Sequence, residues 1–189
     1  MGITMGKETR NEKECTELML KALQCINDCH HLDPRLLRCS EKQADEQYKI
    51  GHLRSQILMG LCNLYASTGF VEESTHYAKL ADQFYAEHDM YRGRIQTSFI
   101  LGTNYLELGE FDSCLIYYDR GLHFAEAVND VVEGAYYYVA TNCYYMTLID
   151  YEQYKTKEER LQLLQKAVAT GRKGLEILND SINTPRAAT

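Results

Sequence analysis

The sequence predicts an all-α protein built as an array of antiparallel helix hairpins. Long stretches rich in Leu, Ala, Glu, Gln and Tyr run without interruption, and the 189-residue chain contains only two prolines. These residues favour helix, whereas proline breaks it. The chain also resembles itself when it is shifted by 40 residues. A period of this length is typical of arrays in which each helix pair buries its apolar face on the next pair.

The repeat is clearest where residues 54–84 are aligned with residues 94–124. The identical pairs are Arg54/Arg94, Gln56/Gln96, Leu61/Leu101, Tyr65/Tyr105, Gly69/Gly109, Tyr77/Tyr117 and Phe84/Phe124. Small residues align with small residues at Cys62/Gly102, Ser74/Cys114 and Ala81/Gly121. Each unit is therefore expected to be helix, turn, helix, with a glycine where the first helix ends in the left-handed conformation. The small residues indicate positions where two helices approach closely.

Seven helices are expected in chain order. Their predicted bounds are 9–31, 42–67, 71–88, 91–108, 111–128, 131–149 and 156–179. The loop between Leu32 and Ala44 is expected to hold a short helix around "PRLLRC". About 13 extra residues around "DYEQYKTKEERLQ" predict a longer turn before the last helix and a longer last helix.

The first and last helices are expected to cap the array, each with one apolar face turned inward. The predicted inward residues are Leu18, Ala22, Leu23, Ile26 and Cys29 on the first helix, and Leu161, Leu164, Val168, Leu175 and Leu178 on the last. Leu20 is the exception on the first helix. This arrangement predicts a soluble protein that is a monomer or a weak homodimer.

The small and aromatic residues resemble the tetratricopeptide repeat motif. Counted from Ile95, Gly102, Tyr105, Cys114 and Gly121 occupy its eighth, eleventh, twentieth and twenty-seventh positions. The 40-residue spacing is similar to the longer variety found in kinesin light chains and bacterial regulators. The resemblance implies a right-handed α-solenoid of about three and a half repeats. We expect residues 9–182 to form the array, residues 1–8 a disordered tail, and residues 183–189 a tail or the start of a linker.

The resemblance also implies a concave groove lined by the first helix of each repeat. The implied lining is Gln56, Met59, Asn63, Ala66 and Ser67; then Gln96, Phe99, Thr103, Leu106 and Glu107; then Tyr136, Val139, Cys143, Met146 and Thr147. Arg54 and Arg94 would stand at the groove edge, where they could grip one acidic group. Members that bind chaperones clamp a terminal carboxylate with Lys and Asn, and only Asn63 matches that set here. A carboxylate clamp is therefore not expected.

Five tyrosines crowd the sixth predicted helix, at positions 136, 137, 138, 144 and 145. The alignment places Tyr138 and Tyr145 at core positions. It places Tyr136 at a position that faces the groove, where a ring and a hydroxyl together can anchor a ligand. An equally open alternative is that Tyr136 packs against a neighbouring helix.

A metal site is not expected, although Cys25, Cys29, His30, His31 and Cys39 lie close together in the sequence. Structural zinc sites pair cysteines two to four residues apart in turns, whereas Cys25 and Cys29 are one helical turn apart at packing positions. The seven cysteines are instead expected to be small, buried and reduced.

Composition excludes several classes of function. The net charge of −7 offers no basic face for nucleic acid or for a membrane surface. Neither a signal peptide nor a membrane-spanning run is evident, so a cytoplasmic protein is expected. No phosphate-binding loop or nucleophile motif occurs, and the histidines are spread over different helices. We expect no catalysis and no cofactor.

The predicted function is recognition of another protein or a peptide at the groove. The chain is either a free-standing adaptor or the sensory or docking segment of a longer bacterial signalling protein, such as a transcription regulator or a cyclic-dinucleotide enzyme. A small helical enzyme or metal protein is the alternative from a different class.

Overall fold

The computed structural model describes residues 9–29 and 40–183, and over these residues it consists of seven α-helices with no strand. The helices are α1 (Arg10–Cys29), α2 (Ser40–Thr68), α3 (Val71–Glu87), α4 (Tyr91–Glu107), α5 (Phe111–Ala127), α6 (Val131–Asp150) and α7 (Lys157–Asn183). The predicted all-α class and all seven predicted helices are confirmed. The predicted tail at residues 1–8 and the short helix around "PRLLRC" lie outside the described residues, as do all but the first residue of the predicted tail at 183–189. That first residue, Asn183, is the last residue of α7.

The chain divides into two compact units, residues 1–90 and 91–189. In the first unit, α2 and α3 form a hairpin, and α1 packs against α2. In the second unit, α4 pairs with α5 and α6 pairs with α7. The second unit is a stack of two hairpins because α5 also packs against α6. The described residues thus comprise three hairpins preceded by a single helix, which agrees with the predicted three and a half repeats.

The turns repeat as closely as the helices do. Gly69 and Gly109 adopt φ of +81° and +76°, in the left-handed region that glycine tolerates best. The next amide in each case donates back to an α2 or α4 carbonyl, from Phe70 to Tyr65 at 2.9 Å and from Glu110 to Tyr105 at 2.9 Å. These bonds close the helix end as in a Schellman motif. The role predicted for both glycines is confirmed.

The third hairpin has the longer turn that its extra residues predict. The α6 helix continues to Asp150, and Glu152 takes the left-handed conformation at φ +52° in place of a glycine. The α7 helix then starts with a capping box. The Glu159 amide donates to the Thr156 hydroxyl at 3.1 Å, and the Thr156 amide donates to the Glu159 carboxylate at 3.3 Å. This reciprocal pair satisfies amides that have no partner within the helix.

Small residues occur where a ring from another helix needs the space. A Cβ atom placed on Gly102 would overlap the ring of Tyr118 on α5, and one on Gly121 would overlap the ring of Tyr137 on α6. Gly134 differs, because the only nearby atom is Cδ1 of Leu122 at 3.9 Å. The prediction that Gly102 and Gly121 lie at close helix contacts is therefore confirmed.

The prediction for the core tyrosines of α6 is wrong by one position. Tyr137 and Tyr144 are buried, at 0% and 5% exposure. Tyr138 and Tyr145 are half-buried. The ammonium groups of Lys173 and Lys166 on α7 lie 4.4 and 5.6 Å from the centres of those two half-buried rings. The alignment misses this because Thr97, which matches Tyr137, is small in the preceding repeat although it is also fully buried.

The prediction that both terminal helices turn their leucines inward is also wrong in part. Leu18 on α1 is 60% exposed. Three residues of the predicted inward set on α7 are more than half exposed, namely Leu161, Val168 and Leu175. Between residues 157 and 180 of α7, the two buried residues are small ones, Ala167 and Gly174. The reason is that α7 approaches α6 closely on that side, where Asn142 donates to the Ala167 carbonyl at 2.5 Å.

Two matched glycine substitutions test the close contacts. We expect Gly121→Ala to lower the free energy of unfolding by about 1–3 kcal/mol, because its methyl group overpacks against Tyr137. We expect Gly134→Ala to raise it by about 0.5–1 kcal/mol, because alanine favours helix and finds room. Urea unfolding followed by circular dichroism measures both. Equal effects of the same sign would contradict the assignment of Gly121 to a close contact.

Candidate functional site

The candidate site is the exposed side of α4 and α6 in the second unit, where these two helices touch each other. Matching positions of the two repeats present their side chains there. We define the α4–α6 face as Gln96, Phe99, Thr103 and Glu107 on α4, with Tyr136, Val139, Cys143 and Met146 on α6. All of these are exposed except Thr103, which is half-buried. The prediction that this set forms a binding groove is consistent with its exposure and stays a prediction.

The apolar members of this face are unusually accessible for residues of their size. Phe99 is 37% exposed, Tyr136 56%, Val139 39% and Met146 41%. The alternative that Tyr136 packs against a neighbouring helix is not what the structure shows, because more than half of its side chain is open. Apolar side chains that gather on one surface, rather than scatter singly, are typical of an interaction site.

Tyr137 forms the floor of the α4–α6 face. Its hydroxyl donates to the Ile95 carbonyl of α4, and its ring contacts Phe99 edge-on at a centroid distance of 5.8 Å. Gly121 on α5 leaves the room that the ring occupies. One buried side chain therefore fixes α6 to both α4 and α5.

Tyr118 is the second buried ring beneath the face. Its hydroxyl shares a hydrogen bond with the Thr103 hydroxyl at 3.3 Å, and its ring lies 6.2 Å from that of Phe99. The hydrogen bond to Tyr118 therefore fixes the Thr103 side chain. Thr103 helps to order the α4–α6 face in addition to any contact that it makes with a ligand. Phe99 rests on two buried tyrosines, which restrict its rotamer before any ligand arrives.

The α4–α6 face and the buried rings beneath it carry little charge. Burial raises the pKa of Tyr118 to about 12 and also raises the pKa of Tyr137, so both phenols are neutral at ordinary pH. Burial likewise raises the pKa of the nearby Cys114 thiol to about 12. Among the eight residues of the face only Glu107 carries a charge, and none is a lysine or arginine.

Four of the five groove residues predicted in the first unit are exposed, and one is buried. Gln56, Asn63, Ala66 and Ser67 are exposed. Met59 is only 9% exposed, so its prediction as a ligand contact is wrong. The residue next to it, Gly60, lies beside α1, where the sulfur of Met19 is 3.2 Å from a Cβ placed on Gly60. A helix that covers this stretch of α2 buries residues that stay open on α4.

The two arginines predicted at the groove edge are both half-buried. The guanidinium carbon of Arg94 lies 4.2 Å from the centre of the Phe124 ring on α5. This cation–π contact turns Arg94 toward its hairpin partner. Arg94 therefore helps to hold α4 on α5, and the structure gives no support to its predicted grip on an acidic ligand.

The five cysteines whose burial the structure describes range from buried to exposed, and Cys15 is half-buried. Cys62 and Cys114 are buried as predicted, whereas Cys25 and Cys143 are exposed, which contradicts the prediction of uniformly buried cysteines. Within residues 9–29 and 40–183, no three His, Cys, Asp or Glu side chains are grouped as a metal site requires. His30, His31 and Cys39 of the sequence cluster lie outside the described residues.

Sequence reasoning missed Tyr137, the residue on which the face depends. A signal was present in the 40-residue alignment, since Thr97 is replaced by Tyr137 while the small Ala81 is replaced by the smaller Gly121. A larger residue on one helix and a smaller one on the helix beside it are what a compensated contact requires. The sequence reveals this contact only when Gly121 and Tyr137 are already known to face each other.

Comparison with solved structures finds chains that are similar to this one. A search of solved structures matches the crystal structure of BtubC (BKLC) from P. vanneervenii, with 13% sequence identity over 96% of this chain and 97% of that chain, and a TM-score of 0.48. That likeness carries no argument about function. No protein-family model matches the chain. No curated protein matches it either.

The helices also bear on whether the chain could cross a membrane. None of those formed by the described residues combines the length and apolar character that crossing a bilayer requires.

The buried phenols predict how stability depends on pH. Their folded pKa is raised above the unfolded value of about 10, so the stability they contribute is fully present below that pH and is lost as pH rises through about 12. Tyrosinate absorbance should therefore show Tyr118, Tyr137 and Tyr144 ionising only as the chain unfolds. Tyr118→Phe should reduce the loss of melting temperature at high pH. A single titration at the ordinary pKa in a folded chain would contradict this.

Proposed function

We propose that this chain is a tetratricopeptide-like repeat module that binds a segment of another protein at the α4–α6 face. The observation that carries the proposal is the row of exposed side chains at matching positions of two adjacent helices, over a fixed floor of buried tyrosines. The mechanism is recognition by a preformed surface, with no bond made or broken.

The two buried tyrosines favour tight binding because side chains that are already ordered in the free protein lose little conformational entropy when a ligand binds. Phe99 already rests on Tyr118 and Tyr137, and Thr103 is already hydrogen-bonded. Immobilising a flexible side chain at an interface costs roughly 0.5–1.5 kcal/mol. A surface that is already ordered avoids much of that cost.

The chemistry of the face indicates what kind of segment it would accept. Phe99, Tyr136, Val139 and Met146 offer apolar contact, and a methionine side chain adapts readily to different shapes. Gln96 and the Tyr136 hydroxyl offer hydrogen bonds to a peptide backbone. With Glu107 as its single charge, the face favours a segment with apolar anchors and neutral or basic flanks. An acidic terminus is disfavoured because no cation is present to receive it.

The proposal can be tested with short peptides selected from a displayed random library on the full 189-residue chain. The probe is then a defined peptide, and its affinity can be measured by calorimetry on purified protein. Selected peptides that carry apolar anchors and compete with one another would support the proposal. Failure to enrich any such peptide, or enrichment of peptides that bind elsewhere, would count against it.

Replacing the two ring anchors is the direct mutational test. We expect the double variant Phe99→Ala, Tyr136→Ala to weaken binding of the selected peptide by about 2–4 kcal/mol, because buried aromatic anchors dominate interface energies. Both rings are exposed, so the helical content should be unchanged. Ile116→Ala is the matched control, since Ile116 is 65% exposed on α5. Unchanged affinity in the folded double variant would show that the peptide uses another surface.

Cys143 offers a probe at the centre of the same face. We expect maleimide to modify Cys143 in the free chain and to modify it several-fold more slowly when the selected peptide is bound, because the peptide covers the thiol. Cys25 is also exposed and serves as the control that the peptide leaves unchanged. Mass spectrometry of each labelled cysteine measures both rates. Equal protection of Cys25 and Cys143, or protection of neither, would contradict binding at this face.

A further inference from the structure

A pocket of about 270 Å³ lies among α5, α6 and α7 in the second unit. Its walls are mostly apolar and include Leu122 and Ala125 of α5, Tyr138 of α6 and Ile177 of α7. We call it the α6–α7 pocket. Sites that hold small molecules are typically concave and apolar, with a few polar groups that fix the ligand. The volume suits a ligand smaller than a typical drug molecule.

The third hairpin can be aligned with the second through its small residues. Gly174 of α7 aligns with Gly121 of α5, because each follows another small residue by seven positions. Three residues after these glycines, Ile177 aligns with Phe124. On the first helix of each hairpin the 40-residue shift applies unchanged. The walls of the α6–α7 pocket can therefore be compared with the same positions of the preceding hairpin.

The preceding hairpin fills this position with a cation and a ring. The guanidinium carbon of Arg94 on α4 lies 4.2 Å from the centre of the Phe124 ring on α5. The third hairpin has Gly134 in place of Arg94, and Ile177 in place of Phe124. Among the described residues outside its own helix backbone, a Cβ placed on Gly134 would lie within 4 Å of a single atom, Cδ1 of Leu122 at 3.9 Å. The α6–α7 pocket is therefore the space that an arginine and a phenylalanine occupy one repeat earlier.

The contact beside the pocket has a counterpart in the preceding hairpin. Nε of Arg120 on α5 donates to the Ser98 hydroxyl on α4 at 3.0 Å. At the matching positions, the ammonium group of Lys173 on α7 lies 4.4 Å from the centre of the Tyr138 ring on α6. Both hairpins thus turn a cation of the second helix onto the first helix. The third hairpin lacks the other cation, because Gly134 replaces an arginine.

Two carboxylates border the pocket where the preceding repeat has neutral side chains. Glu126 and Asp130 line the pocket, and the 40-residue shift pairs them with Ala86 and Met90. Asp130 is held in place at the start of α6, because its carboxylate accepts from the amide three residues further on at 3.3 Å. Among the described residues that line the pocket, Lys173 is the one cation. The pocket therefore keeps one uncompensated negative charge.

We propose that the α6–α7 pocket binds a small organic cation that has a guanidinium or amidinium head and an apolar body. The head takes the place that the Arg94 guanidinium has one repeat earlier, near Asp130 and Glu126, and the body takes the place of the Phe124 ring. Such a head suits the pocket because guanidinium is weakly hydrated, packs on rings and pairs with carboxylates. The pocket shares no residue with the α4–α6 face, and the proposal does not depend on the proposed function.

The size of the pocket sets the affinity that is expected. A ligand of about ten non-hydrogen atoms, bound with ordinary efficiency, has a dissociation constant on the order of 0.1–1 mM. Benzylguanidine has this size, and it supplies the ring and the guanidinium that Ile177 and Gly134 leave out. Benzylurea is the matched neutral molecule, with almost the same shape and no charge.

The test is a titration of the full 189-residue chain with each compound, followed by the amide resonances of Asn129 and Gly134 in NMR spectra. Benzylguanidine should shift both resonances until they saturate. Benzylurea should bind at least about 10-fold more weakly, because it cannot form a charged pair with Asp130. Equal affinities for the two compounds, or no saturable shift up to about 10 mM benzylguanidine, would overturn the proposal.

Variants test whether the ligand occupies this pocket. Gly134→Arg restores the side chain of the preceding repeat and should abolish binding of benzylguanidine. Ile116→Arg is the matched control, since it adds the same charge at a residue of α5 that is 65% exposed and outside the pocket, and it should leave the affinity unchanged. Asp130→Asn keeps a residue that caps a helix but removes the charge, so it should weaken benzylguanidine about 3–10-fold and leave benzylurea unchanged.

Circular dichroism establishes that each variant is folded. If Gly134→Arg does not fold, Ile177→Phe takes its place, because it refills the ring half of the pocket and should weaken binding several-fold. Wild-type affinity in a folded Gly134→Arg or Ile177→Phe variant would put the ligand elsewhere on the chain and overturn the proposal. An unchanged preference for benzylguanidine over benzylurea in Asp130→Asn would also contradict it, since the charge of Asp130 would then play no part.

Discussion

The second unit depends on one tyrosine ring that fills a space only glycine can leave. Tyr137 extends from α6, lies against Gly121 of α5 and donates its hydroxyl to the Ile95 carbonyl of α4. A buried phenol needs such a partner, because an unsatisfied hydroxyl would cost roughly 1–3 kcal/mol. A helix carbonyl has a second lone pair, so Ile95 can accept this bond without losing its place in the helix. Three helices are therefore joined by a single side chain with both its shape and its polarity satisfied.

The exposed face follows from that buried contact. Helical geometry separates consecutive residues by about 100°, and α6 is rotated so that Tyr137 is buried while Tyr136 faces solvent. The same rotation exposes Val139 and Cys143 and buries Ala140 and Tyr144. Had α6 been rotated by one residue, as the repeat alignment implied, Tyr138 would occupy the core in place of Tyr137. The composition of the α4–α6 face thus follows from which residues α6 buries. The buried Tyr137 also orders the side chains of that face before a ligand binds.

The sequence was most informative where backbone geometry leaves little choice. The left-handed turns at Gly69 and Gly109 favour glycine, and the close contacts at Gly102 and Gly121 require the smallest side chain. A fixed period of small residues therefore predicts both features. The bounds of α3, α4 and α5 follow from the same period to within one residue. Seven of the ten predicted groove residues on α4 and α6 are exposed, because repeats place equivalent residues on equivalent sides, whereas Thr103, Leu106 and Thr147 are half-buried.

The sequence was less informative where the outcome depends on what covers a helix. Met59 and Phe99 occupy matching positions, yet α1 lies over α2 and buries Met59, while Phe99 remains 37% exposed. The leucines of α7 look like a core stripe in the sequence because nothing in their spacing tells an inward row from an outward one. Only the contact of Ala167 and Gly174 with α6 shows which side is inward. Periodicity identifies a face, and the neighbouring helices decide its role.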